Sequence, residues 1–154
     1  MTPNKYEAAK KRKENMRTWF PEYVESTFSK RSMYHHLERH INNTDEQMMR
    51  RASRERLSVS TFIGEEADVV DLLKNTLIEC IDEVMEYLTF DDDDPYEIHG
   101  TLTNKVKGFI YEFSGSHEWE NGPKECKEFT IILKKRKNEN GFAILSAYPI
   151  VSPY

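Results

Sequence analysis

Apolar positions follow two regimes along this chain: helical spacing in the first part, alternating or continuous short runs afterwards. Tyr6, Met16, Trp19, Phe20, Tyr23 and Phe28 predict a mostly helical opening segment, with Pro21 expected to break it or to start a fresh first turn. Met33, Leu37 and Ile41 predict a second short helix from about Ser32 to Ile41, ended by Asn42-Asn43. Thr44-Asp45-Glu46-Gln47 has the form of a capping box, a hydroxyl followed three residues later by Gln. It should open a helix through Met48, Met49 and Ala52 that ends near Arg56. Ser58–Phe62 is a short β-prone run punctuated by Gly64. Val70, Leu73, Leu77, Ile81, Val84 and Leu88 then predict one long helix, with Glu65, Glu66 and Asp68 at its start, where the macrodipole favours acids. Beyond the loop Asp91–Pro95, the stretches Val106–Phe113, Phe129–Leu133 and Phe142–Tyr148 read as strands. Helices first and strands afterwards predict an α+β fold, N-terminal helices followed by an antiparallel sheet.

A length of 154 residues suits one compact unit, divided in this reading into a helical lead-in of unassigned role (1–31) and a domain (32–154). Mean hydropathy is low at -0.76, yet eight Phe, eight Tyr and two Trp can still build a modest core. No apolar run reaches the length of a bilayer span and the N-terminus has no hydrophobic signal core, which argues against a membrane protein or a classically secreted precursor. Two cysteines, Cys80 and Cys126, supply neither a disulfide framework nor a zinc ribbon.

Net charge is -5, but it is strongly partitioned: residues 1–60 carry +5, residues 61–100 carry -12 and residues 101–154 carry +2. The outer thirds could hold a phosphate locally while the middle repels one; a protein gripping long nucleic acid would normally be basic overall. Solvated helix faces account for the same numbers.

Few clusters have the makings of chemistry. His36 and His40 are four apart, a metal-capable spacing on a helix. The zinc-protease order would need Glu after the first His, and here Leu37 follows. The acidic run Asp91–Asp94 meets Pro95 where a calcium loop would continue. No metal and no cofactor are therefore expected. A different set does suit metal-free phosphodiester cleavage. His40 offers a base near neutral pH, Arg51 on the next helix offers a cation, and Ser146 and Tyr148 alternate on a strand so that both hydroxyls share a face. Taken singly, each of these has an ordinary structural explanation.

The order of these motifs resembles the bacterial RNase A-like toxin domain, the toxic tip of contact-dependent inhibition and other polymorphic toxins. The resemblance is carried by His36-Leu37-Glu38-Arg39-His40-Ile41, by Thr44–Gln47 with Arg51, by Ser60-Thr61-Phe62 with Ala67, and by Phe142–Pro149. It runs from about residue 36 to 150 and implies a kidney-shaped fold like pancreatic ribonuclease, without disulfides. It implies a catalytic set of His40, Arg51, Ser146 and Tyr148, with His36 and Thr44 in supporting or substrate-binding roles. Ser146 stands where the family has Thr, which keeps the hydroxyl and loses the methyl that fixes the rotamer. Leu37 also departs from the Thr usual after the first His. The implied partners are RNA, with tRNA one candidate, and a cognate immunity protein, with action in the cytoplasm of a target cell. The chain begins with Met and has no delivery segment, so it is expected as a free-standing member or an excised effector domain. Two alternatives stay open at this point: a ribonuclease of the barnase, colicin or EndoU type, and a non-enzymatic binding module or degenerate toxin.

Overall fold

The structure, a computed structural model, describes residues 5–28, 40–55, 58–89, 94–111, 123–136 and 141–151. Helices α1 (Lys5–Phe28) and α2 (Asp45–Glu55) precede strand β1 (Val59–Ile63), followed by helices α3 (Glu66–Glu79) and α4 (Ile81–Thr89). Strands β2 (Tyr96–Thr101), β3 (Lys107–Tyr111), β4 (Lys124–Cys126), β5 (Glu128–Lys135) and β6 (Phe142–Ile150) complete the chain. The expected α+β arrangement is present. Its strands form two three-stranded antiparallel sheets, β1-β3-β4 and β2-β5-β6, and β6 packs against β1 and β3 where the sheets meet. Cys80 and Cys126 are both free.

The main core forms where α1, α3 and α4 cover one face of the second sheet. Phe20, Val24, Val69, Leu73, Leu77 and Val84 meet Ile98, Phe129, Ile131, Leu133 and Phe142 there, all fully buried. The apolar area removed from water at this junction is the principal stabilising term. A smaller cluster of Met48, Ala52, Val59 and Tyr111 fixes α2 on the first sheet.

The opening segment is helical as expected, and its second half belongs to the core. The Tyr23 hydroxyl donates to the Phe142 carbonyl at 2.7 Å and accepts from the Phe142 N–H at 2.9 Å, latching α1 to the start of β6. Lys74 pairs with Glu25, and Arg17 with Asp82, across the α1 junctions with α3 and α4. The 31/32 division falls outside the described residues. Pro21 does not break the helix. It lies inside α1 with Arg17 and Pro21 both exposed, so the Arg17 carbonyl that loses its helical donor is on the wet face of the helix.

The single helix expected over Val70–Leu88 is two helices. Cys80 leaves helical geometry at φ -93, ψ 22, and α4 restarts with Asp82 and Glu83 in its first turn, acids that favour a helix N-terminus. The buried stripe nevertheless continues from Leu73 and Leu77 to Val84, headed by Val69, with Val70 half-buried. The expected helix ending at Ile41 falls mostly outside the described residues; His40 is in a turn and Ile41 in a β-bridge.

Strands β2 and β4 escape the sequence pattern. β2 carries Glu97, His99 and Thr101 on one face, while Gly100 on the other lies under the Phe129 ring, where a Cβ would collide with it. Tyr96, at the start of β2, donates to Glu83 at 2.6 Å and stacks on Tyr87. The carboxylate holds that phenol's pKa up at about 12.

If α1 is part of the folding unit, Phe20→Ala should lower unfolding free energy by about 3–5 kcal/mol. Urea denaturation of the full chain checks this, and a change below about 1 kcal/mol would mean that α1 folds apart from the rest.

Candidate functional site

His40 owes its place to backbone bonds along the free edge of β1. The Phe62 N–H donates to the His40 carbonyl at 2.6 Å and the Asn42 N–H donates to the Phe62 carbonyl at 2.7 Å, so residues 40–42 run beside β1 as a short parallel extension. Ile41 packs onto the main core. Asn42 turns the chain at φ 53, a conformation Asn tolerates better than most residues. Its side-chain amide donates to the Gly64 carbonyl at 2.6 Å and accepts from the Gly64 N–H at 3.0 Å. Beneath this segment lies Thr61, only 2% exposed. Its Oγ1 accepts from the Asn43 N–H at 3.1 Å and from the Asn43 side-chain amide at 3.3 Å. The hydroxyl proton is shared between the carbonyls of Phe62 at 3.1 Å and His40 at 3.3 Å.

Ser146 and Tyr148 reach the site face through a bulge. Phe142 and Ile144 are buried in the core, and strict alternation would send Ser146 and Tyr148 into that core as well. The register shifts instead: Leu133 pairs with Ile144 and Ile132 with Ser146, which leaves Leu145 as the extra residue, 42% exposed. Beyond it Ala147 and Pro149 face inwards, and Ser146 and Tyr148 turn outwards together, both half-buried.

Arg51 is set by the start of its helix. The Thr44 hydroxyl accepts from the Gln47 N–H at 3.2 Å, and the Gln47 side chain accepts from the Thr44 N–H at 2.9 Å, the reciprocal cap expected from the sequence. Tyr111 donates to Asp45 in the same turn, tying the helix start to β3. With Met48 and Ala52 buried, Arg51 falls at the margin of the packed face, half-buried.

Two of the expected site residues meet directly. The His40 imidazole and the Tyr148 ring are 6.1 Å apart between centroids, inclined at 40°, and His40 Nδ1 is buried. Ser146 shares the Tyr148 face one step along β6, and Arg51 follows on the first helix after the His40 turn. Thr44 acts in the structure as a cap. His36 lies outside the described residues. Burial raises the Tyr148 pKa above its ordinary value, and the Glu97 carboxylate adds to the effect. Its hydroxyl is thus a proton-bearing donor throughout the neutral range. Among the described residues no three His, Cys, Asp or Glu side chains converge as a metal-ligand set. No helix among them is long and apolar enough to cross a membrane.

Residues that position the site left little trace in the sequence. Thr61 stands in the Ser60-Thr61-Phe62 motif that carries the resemblance, with no positioning role legible there, and Asn42-Asn43 has the form of a helix stop. The Asn-Asn pair was the available signal, because Asn both tolerates a left-handed turn and offers two-way amide bonds.

Residues 34–149 match the family model described as the Bacterial CdiA-CT RNAse A domain. The chain belongs to that family. Membership places it among the RNase A-like toxin domains of contact-dependent inhibition, as the resemblance implied. Among solved structures it is similar to one described as a CdiA-CT/CdiI complex from Y. kristensenii, with a TM-score of 0.63 and 19% identity. That match covers 75% of this chain and 98% of the other. No curated protein matches the chain.

Changes at Thr61 and Leu145 test this architecture. Thr61→Val keeps the shape and removes the hydroxyl under the His40 turn, so it should cost about 1–3 kcal/mol in urea unfolding, with Thr61→Ser closer to wild type. Deleting Leu145 makes Ser146 follow Ile144 directly, so regular alternation should keep Ile144 and Ala147 inwards and both hydroxyls outwards. The variant should fold with Ser146 and Tyr148 still exposed to solvent probes. A deletion variant that loses the fold would show that Leu145 does more than set the parity of the strand.

Proposed function

We propose that this toxin domain is an endoribonuclease that cleaves RNA by transphosphorylation without a metal. The 2′-hydroxyl attacks the adjacent phosphate, the bond to the 5′-oxygen breaks, and the products carry a 2′,3′-cyclic phosphate and a free 5′-hydroxyl. The observation that supports this most is the meeting of the His40 imidazole and the Tyr148 ring, 6.1 Å apart, beside the Ser146 hydroxyl on the same strand face.

In this reading His40 takes the proton from the 2′-hydroxyl, a task suited to a group that ionises near neutral pH. Arg51 provides a forked pair of donors for the charge that accumulates on the phosphorane oxygens. Ser146 donates to the phosphate or orients His40. Tyr148 donates to a phosphate oxygen or protonates the departing 5′-oxygen. Its raised pKa makes it a durable donor and a slow acid, and the proton that His40 takes returns through water to balance the one delivered to the leaving group. Ser146 lacks the β-methyl of Thr, so its hydroxyl has to be held by its strand neighbours, Ile132 across the ladder among them. A cognate immunity protein is the expected partner, in keeping with the CdiI of the similar complex. The expected site of action is the cytoplasm of a target cell, with tRNA one candidate substrate.

Incubation with total RNA in EDTA, followed by mapping of fragment ends, tests the proposal. Wild type should leave cyclic phosphate ends. His40→Ala should lose roughly a hundredfold or more of the rate while keeping its fold. Tyr148→Phe should lose rate too. With wild type, any alkaline fall from Tyr148 ionisation should come at higher pH than for an ordinary phenol, since burial and the Glu97 carboxylate hold its proton on. A folded wild-type protein that cuts no RNA across a salt and pH series would favour the binding-module alternative.

A further inference from the structure

The outward face of the second sheet continues past the hydroxyl pair to two ionisable groups that the proposed reaction does not use. The register places Glu97, Ile132 and Ser146 side by side across β2, β5 and β6, and His99, Thr130 and Tyr148 in the next row. Direct partners in an antiparallel ladder point to the same face, so these six side chains form one patch. Burial on the other face agrees: Ile98, Ile131 and Ala147 form the core row between them. Glu97 and His99 are each 56% exposed, with His99 Nε2 3.7 Å from Glu97 Oε2. Thr130 is only 2% exposed, its hydroxyl donating to the Ile98 carbonyl at 3.3 Å, so the accessible surface of the patch is made by the other five side chains.

The chemistry of the patch is graded. At β6, against His40, are hydroxyls suited to a phosphate. Ile132, half-buried, is an apolar floor in the middle. At β2 are a carboxylate and an imidazole. A carboxylate repels a second phosphate but accepts well from the N–H edge of a base, and an imidazole is a stacking surface for one. Two strand spacings, about 10 Å, separate the β2 and β6 backbones. One nucleotide bridges such a gap between its phosphate and its base edge.

We propose that Glu97, His99 and Ile132 form a nucleobase subsite beside the scissile phosphate, selecting a base that presents N–H donors to the Glu97 carboxylate. Guanine, with adjacent N1–H and N2–H groups for the two carboxylate oxygens, is the best match. His99 stacks on the base and Ile132 supports its face. The subsite rests on the ribonuclease reading for its neighbour, but its base preference is measurable without cleavage. Pairing of both β2 and β6 with β5 keeps the two strand edges at a fixed separation.

The test uses the full chain and short single-stranded oligonucleotides that differ only in the bases flanking one bond. Each is prepared as RNA for cleavage and with a 2′-deoxy nucleotide at that bond for binding. Wild type should prefer guanine at one flanking position. Glu97→Gln should shrink that preference roughly tenfold, the scale of one good carboxylate–base contact. His99→Ala should weaken binding of every sequence by a similar factor, leaving the order of bases intact. Asp71→Asn, on an exposed position of α3, makes the same charge change away from the patch and should leave the preference as it is. A preference that survives Glu97→Gln, or a wild type that binds no oligonucleotide, overturns the subsite. Glu97-dependent base preference in binding with no cleavage of the RNA set would uphold it while removing the ribonuclease reading.

Discussion

β6 has to serve the core with one half of its length and the outward face with polar groups from the other half. A strand with strict alternation cannot place Phe142, Ile144, Ala147 and Pro149 inside together, because the first pair and the second differ in parity. The extra residue at Leu145 resolves the conflict by moving the strand half a pleat, at the cost of one unpaired position in the ladder. Everything outward of the core depends on that shift: the exposure of Ser146 and Tyr148, the contact of Tyr148 with His40, and the continuity of the patch towards β2. Gly108 of β3 fits the same geometry, since a side chain there would run into Pro149 and push the two sheets apart.

A second constraint acts from the opposite direction. His40 itself lies in a turn, and a turn residue needs a fixed support to hold its side chain in place. The free edge of β1 supplies that support through two backbone bonds, while Thr61 and Asn42 add side-chain bonds that hold the turn to the strand. The result is an imidazole carried by a loop yet positioned by a sheet. α2 gains its direction in a similar way, from the Thr44–Gln47 cap and the Tyr111–Asp45 bond at its first turn.

Much of this was legible in the sequence, and the omissions have physical causes. The capping box, the alternation of Ser146 with Tyr148 and the runs that became β1, β3, β5 and β6 are local signals, written in adjacent residues. The break at Cys80 was hidden because the apolar stripe continues through it; only the acids restarting at Asp82 and Glu83 mark the new helix. β2 was missed because its alternation is interrupted by Gly100, whose absence of a side chain matters only under the ring of Phe129, 29 positions away. The role of Thr61 and the face chosen by β6 could not be read locally, since one depends on a neighbouring turn and the other on register with β5. The family resemblance nominates the candidate site residues by spacing, and the structure brings His40 and Tyr148 of that set together.

The place of β6 in chain order has a consequence for when the candidate site assembles. Synthesis delivers the N-terminal residues first, and β6 is the last of the described strands and helices. Until it docks, His40 has no Tyr148 beside it, and Tyr23 has no Phe142 backbone to hold. More than a hundred residues separate each pair, so neither can be brought together by local folding alone. A nascent chain therefore carries the components of the candidate site without their assembly. The His40–Tyr148 contact is a late product of folding, formed only when β6 joins the sheet.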